Sequence, residues 1–229
     1  MISTRRIREV YNAAPEHIKQ AGRDAYPNYR KTLQGFATAY NKPLATVVAA
    51  FATLSPNNDY VGNLRSLHTC LANDAGDIDY LVTTTYNRMA QRAMLYLSGS
   101  MGFWETASGP KIRAFYHNIL YCETSRKITI DGHMIAFLLD EDLTMTEAAD
   151  KLRFHGGYEA FEKRMKQAAM AQGILGSVLQ ATLWYDRKDR LDIKTTTDMF
   201  TQADTGTPWR QYFMPWENEV RSYPDTTGT

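Results

Sequence analysis

The feature that most constrains this chain is a helical spacing of apolar residues that recurs along most of its length. In "PLATVVAAFATL", Leu44, Val47, Val48 and Phe51 fall at i, i+3, i+4 and i+7, one stripe of a helix. Pro43 suits the first turn. Pro56 disfavours helical geometry at Ser55, so this helix is expected to stop near Leu54. The same spacing predicts a helix over 59–71, carrying Val61, Leu64, Leu67 and Leu71. Another covers "YNRMAQRAMLYL", and another follows Pro110 with Ile112, Phe115, Tyr116, Ile119 and Leu120 on one stripe. Asp131 reads as the cap of "GHMIAFLL", and Thr144 with Glu147 forms a capping-box pattern. Two more helices are expected over 158–171 and 174–185. "KITI" is the one strong β-like run in the middle, and it is too short for a sheet. The sequence therefore predicts an all-α fold of about ten short helices.

Composition narrows the class of protein. With 44% apolar and 22% charged residues over 229 positions, the chain can bury a real core. No apolar run is long enough to span a membrane, and "MISTRRIREVY" has no signal-peptide pattern. Cys70 and Cys122 are too few for a disulfide framework or a four-cysteine metal or iron–sulfur site. A reducing, cytoplasmic location is the expectation. The net charge of +1 argues weakly against a dedicated nucleic-acid binder. Local basic clusters exist nonetheless: Arg5, Arg6 and Arg8; Lys111 and Arg113; Arg126 and Lys127; Arg187, Lys188 and Arg190. Each also reads as a solvated helix end. No Walker or G-x-G-x-x-G pattern is present, which disfavours nucleotide-binding α/β folds. The C-terminal stretch changes character. Pro208, Pro215, Pro224, Trp209, Trp216 and many threonines read as an irregular tail.

Three stretches line up in order: "LSPNNDYVGNLRSL" at 54–67, "YNRMAQRA" at 86–93 and "SGPK…ITIDGHM" at 108–134. Together they resemble the helix-hairpin-helix DNA glycosylase superfamily over roughly residues 45–140. Asn57 stands where that family has a glutamine. Lys111 follows the hairpin glycine, Asp131 comes twenty residues later, and His133 completes a D-x-H. The segments "SPNN", "GPK…FY.NI" and "TIDGH" are also similar to small phage-encoded proteins. The superfamily is thought to include phage enzymes that join amino acids or polyamines to a base during thymine hypermodification. The resemblance implies a two-lobed helical fold around a cleft. Residues 45–130 would form a central lobe with the hairpin, and 1–44 with 131–229 a second lobe. It implies DNA as partner and no cofactor; the cluster cysteines of some family members are absent and the five histidines lack metal-type spacing, so neither a cluster nor a metal is expected. The host-cell cytoplasm is the expected location if the chain is phage-encoded. The hairpin "ETASGPK" departs from the family pattern: it keeps only Gly109, has Ala107 at the first glycine and lacks the leading Leu-Pro. Fewer glycines weaken a hairpin's close approach to phosphate.

The resemblance implies base flipping into a pocket, at a cost of a few kcal/mol. Asn57, Asn58 and Tyr60 sit where a wedge would fill the gap, although the same turn reads as simple helix punctuation. Asp131 is the leading catalytic candidate. A carboxylate can stabilise positive charge on the sugar or orient water, and it can also be a plain N-cap. Lys111 is a candidate Schiff-base nucleophile, a phosphate contact or a solvated first-turn lysine. His133 reads as a proton shuttle or a buried, hydrogen-bonded histidine. Tyr86, Asn87, Arg88, Gly109 and Arg113 are candidate DNA contacts. Gln180 and Trp184, at i and i+4, would share a face, with Trp184 stacking on a base or packing the core. The activity most directly implied is N-glycosidic hydrolysis. The alternative is transfer of an amino acid or amine to an activated thymine methyl group. A third reading is a DNA-binding protein that has lost catalysis.

Overall fold

The computed structural model describes residues 3–56, 58–76, 83, 85–106 and 109–191. The expected irregular tail, with Trp209 and Trp216, lies outside the described residues, and so does Asn57. The described residues are all-α. They form eleven helices and no strand: α1 (Thr4–Ala13), α2 (Glu16–Ala39), α3 (Leu44–Leu54), α4 (Tyr60–Ala75), α5 (Asn87–Leu97), α6 (Phe103–Thr106), α7 (Gly109–Leu120), α8 (Gly132–Leu139), α9 (Met145–Phe154), α10 (Gly157–Gln172) and α11 (Gly176–Arg190). None is long and apolar enough to cross a membrane.

Local chemistry sets the helix ends. α3 stops at Leu54, as Pro56 requires, although Pro43 caps the helix from just outside it. Asp59 caps α4 by accepting from Gly62 N–H at 2.7 Å. The Thr144–Glu147 capping box opens α9 as the spacing predicts. Two helices run past their expected ends: α4 reaches Ala75 rather than Leu71, and α11 reaches Arg190 rather than Tyr185. α11 itself starts at Gly176. Its last turn is not a frayed polar end, because Asp186 is buried and Arg190 pairs with it at 2.9 Å. The 24-residue α2 passes through Pro27, which lies on an exposed face. There the missing N–H costs one intrahelical hydrogen bond.

The β-like "KITI" run is extended but pairs with no strand among the described residues. Its backbone is served by Tyr158 of α10. That hydroxyl donates to the Ile128 carbonyl at 2.6 Å and accepts from Ile130 N–H at 2.9 Å. One side chain thus does what a neighbouring strand would do, and buried backbone groups stay paired. Ile128 and Ile130 join Ile7, Met134, Phe137, Phe161, Met165, Leu179 and Leu183 in one core.

α2 packs most extensively against α11, and also against α3 and α7. α3 packs on α4, α5 and α7, while α10 packs on α1, α9 and α11. The α2–α11 crossing is close because Gly22 faces Thr182. A Cβ at Gly22 would lie 2.1 Å from Thr182 Oγ1 and 2.8 Å from its backbone nitrogen. Tyr26, one turn beyond Gly22, is thereby carried into contact with Gln180.

Candidate functional site

Asp131 sits at the N-terminus of α8 with both carboxylate oxygens engaged. Oδ1 accepts from Met134 N–H at 2.9 Å, the N-cap bond. Oδ2 accepts from the indole Nε1–H of Trp184 at 3.2 Å. The second bond comes from α11, so the carboxylate is held between two helices rather than by its own turn alone. Only one lone pair of each oxygen is used, so the group can still accept from a ligand or water.

The face of the Trp184 ring is not open. The Lys188 ammonium lies 4.3 Å from its centroid, a cation–π contact one turn along α11. Partial burial pulls the Lys188 pKa down, opposed by the charges of Asp131 and Asp59. His133, half-buried, has its pKa lowered first by burial. Asp131 acts against that shift, while Lys188, Arg187 and Lys111 add to it. Cations from α7 and α11 therefore surround the first turn of α8. Arg187 has one anchor, Asp142 at 3.1 Å, and its buried Nε has no partner among the described residues. Lys111, half-buried in the first turn of α7, makes no hydrogen bond or ion pair among the described residues.

Behind Trp184 lies a buried polar chain. The Tyr26 hydroxyl contacts Gln180 Oε1 at 2.6 Å and Thr129 Oγ1 at 3.1 Å. Asn118 Nδ2 donates to Thr129 Oγ1 at 3.1 Å. Ser125 Oγ donates to Asn118 Oδ1 at 2.5 Å, and His117 Nδ1 meets Ser125 Oγ at 3.0 Å. Burial pushes the Tyr26 pKa up to about 12, so Tyr26 stays a neutral donor. The His117 pKa is lowered by burial and then by Lys127.

The structure thus brings Asp131, His133 and Trp184 together, with Lys111 near enough to act on His133 electrostatically, while Gln180, one turn before Trp184 on α11, meets Tyr26. Other candidates lie elsewhere in the packing. Tyr60 is held in an aromatic group with Tyr29, Phe51 and Phe115, and its hydroxyl meets Thr32 Oγ1 at 3.4 Å. Asn58 donates to the Leu54 carbonyl at 3.3 Å, closing the end of α3. Tyr86, Asn87 and Arg88 are exposed at the start of α5, where the Arg88 guanidinium covers the Tyr86 ring at 5.6 Å. Gly109 opens α7 with φ +80, the left-handed conformation that favours glycine, and both Gly109 and Arg113 are exposed. Among the described residues no group of three or more His, Cys, Asp or Glu side chains could hold a metal ion.

The sequence reading missed Tyr26, Asn118, Thr129 and the specific role of Lys188. A signal did exist. Asn118 and Thr129 are polar residues set within otherwise apolar stretches, and Lys188 follows Trp184 by one helical turn.

These features define an all-helical protein with one carboxylate fixed between two helices and cations gathered around it. The chain belongs to a family of unknown function, DUF7178, whose model matches residues 2–190. No curated protein and no solved structure matches it.

Proposed function

We propose that this protein processes a base in DNA, with Asp131 as the catalytic carboxylate in a two-lobed, glycosylase-like fold. The observation that carries the reading is the double restraint of Asp131 by Met134 N–H and Trp184 Nε1–H beside the cations of α7 and α11. Breaking an N-glycosidic bond leaves positive charge on the sugar. A fixed carboxylate stabilises that charge without first having to reorganise. Lys111, Arg187 and Lys188 would meet the phosphates on either side of the flipped nucleotide.

One observation favours the group-transfer alternative on the same residues. The Trp184 face already holds one ammonium, that of Lys188, next to a carboxylate. An incoming amine co-substrate suits the same surroundings: its nitrogen would bond to the thymine methyl carbon as the activating group leaves with the electrons of its own bond, and Asp131 would take the amine's proton. Nucleoside mass spectrometry of DNA incubated with the protein, with and without added amino acids and polyamines, separates the readings. Free base supports hydrolysis, and a nucleoside that gains the mass of the amine supports transfer. DNA that binds but stays unchanged supports a non-catalytic binder. DNA that neither binds nor changes refutes the proposal.

A further inference from the structure

The buried chain behind Trp184 has a direction. The Tyr26 hydroxyl has one proton, and the 2.6 Å contact assigns it to Gln180 Oε1. The Thr129 hydroxyl proton then points at the Tyr26 oxygen, and Asn118 Nδ2–H feeds Thr129. On the other side of the Asn118 amide, Ser125 donates to Oδ1, so His117 must present Nδ1–H to Ser125. Every donor from His117 onward points toward Gln180. The Asn118 amide interrupts any path for proton transfer, so the chain orients groups and does not conduct protons.

The consequence falls on Gln180. Its Oε1 accepts the Tyr26 proton, and with Thr129 donating to Tyr26 a turned amide would set Nε2–H against that proton. The side chain is 6% exposed. Its Nε2 donors have no partner among the described residues, and the nitrogen is not among the fully enclosed unpaired atoms. Gln180 lies one turn before Trp184, whose indole holds Asp131, so the two side chains leave the same face of α11. A mostly buried amide with unused donors is destabilising unless a ligand supplies an acceptor.

We propose that Gln180 reads the bound base through a preset N–H donor, selecting a carbonyl at the edge it meets: a keto base rather than an amino base. Tyr26, Thr129 and Asn118 act as positioning residues that prevent the amide from flipping. This inference rests on the DNA-base reading above and names the substrate class for that site. An amino group at the same point would set donor against donor. It would leave the Gln180 N–H groups unpaired, which should weaken binding by about tenfold or more.

The test compares short duplexes that differ only in one base placed opposite an abasic residue, so that no base pair has to be broken. Uracil is paired against cytosine, and hypoxanthine against adenine. Affinity is measured for the wild type, Tyr26→Phe, Thr129→Val and Gln180→Glu, with thermal melts as the folding control. The wild type should favour the keto base of each pair by about tenfold. Tyr26→Phe and Thr129→Val should erase most of that ratio while binding a duplex without the test base as the wild type does. Gln180→Glu should reverse the preference, since its second carboxylate oxygen accepts rather than donates. If Tyr26→Phe fails to fold, Thr129→Val, which removes a hydroxyl without changing the ring, still decides. Equal affinity for both bases, or an unchanged ratio in Thr129→Val, overturns the inference and leaves the DNA reading intact. Failure of every duplex to bind the wild type overturns both.

Discussion

Replacing Gly22 by alanine tests the packing that brings α2 and α11 together. A Cβ there would stand 2.8 and 2.9 Å from the backbone nitrogen and Cα of Thr182, where ordinary contact begins at 3.4 Å. Thr182 Oγ1, at 2.1 Å, cannot rotate away freely, because it donates to the Val178 carbonyl at 2.9 Å. The obstacle is thus helix backbone, and α11 must retreat by about 0.5 Å or more. Overpacking of this kind costs about 1–3 kcal/mol, while alanine returns about 1 kcal/mol of helix propensity. Because the obstacle is backbone, the upper end of that cost applies, and the net loss should be about 2 kcal/mol, or roughly 4–8 °C in Tm for a unit of this size. The retreat also lengthens the 2.6 Å Tyr26–Gln180 bond, so keto selectivity should fall along with stability. Chemical denaturation and the base-pair affinity ratios measure the two effects. A Gly22→Ala protein as stable as the wild type would refute the close-crossing account.

Three further outcomes are expected. Trp184→Phe keeps the ring beneath Lys188 but removes the N–H from Asp131, so turnover should fall by about tenfold with a stability change near 1 kcal/mol, read by single-turnover kinetics and melts. His133 has its pKa pushed below the ordinary 6.5, mainly by burial, so the unfolded chain binds the proton first. Its contribution to stability is complete above pH 6.5 and is lost as the pH falls from there through the folded pKa. His133→Asn should flatten that part of a Tm-against-pH series, with the residual slope assigned to His117, whose pKa is also lowered. Thr144→Ala should cost about 1 kcal/mol by opening the α9 capping box, with DNA affinity unchanged in a binding titration.

How far the sequence could be read depended on whether the determinants were local. α8 and α9 were legible almost to the residue because Asp131 and the Thr144–Glu147 pair mark their starts. α3 was legible because Pro56 ends it. The end of α11 was not, since Asp186 to Arg190 looks like a solvated charge run until the packing buries Asp186. α2 was given no bounds from the sequence, and Pro27 is tolerated inside it because it faces outward. Asp131, Gln180 and Trp184 could each be singled out in the sequence. Their association could not, because the Asp131–Trp184 bond spans 53 residues. Tyr26 was invisible as a site residue for the same reason: its partners Thr129 and Gln180 lie 103 and 154 positions away.

In the proposed function Asp131 acts in chemistry and is not only a helix cap. Asparagine keeps a capping oxygen, but it cannot accept from both Met134 N–H and Trp184 Nε1–H without turning an NH₂ toward one of them. Asp131→Asn should therefore fold with a loss of about 1 kcal/mol and bind DNA nearly as the wild type does. The deciding measurement is the single-turnover rate of base release or nucleoside modification by Asp131→Asn against the wild type on the same DNA. A loss of about a hundredfold to a thousandfold at unchanged affinity is expected. A rate within about tenfold of wild type would contradict it and leave Asp131 as a structural cap.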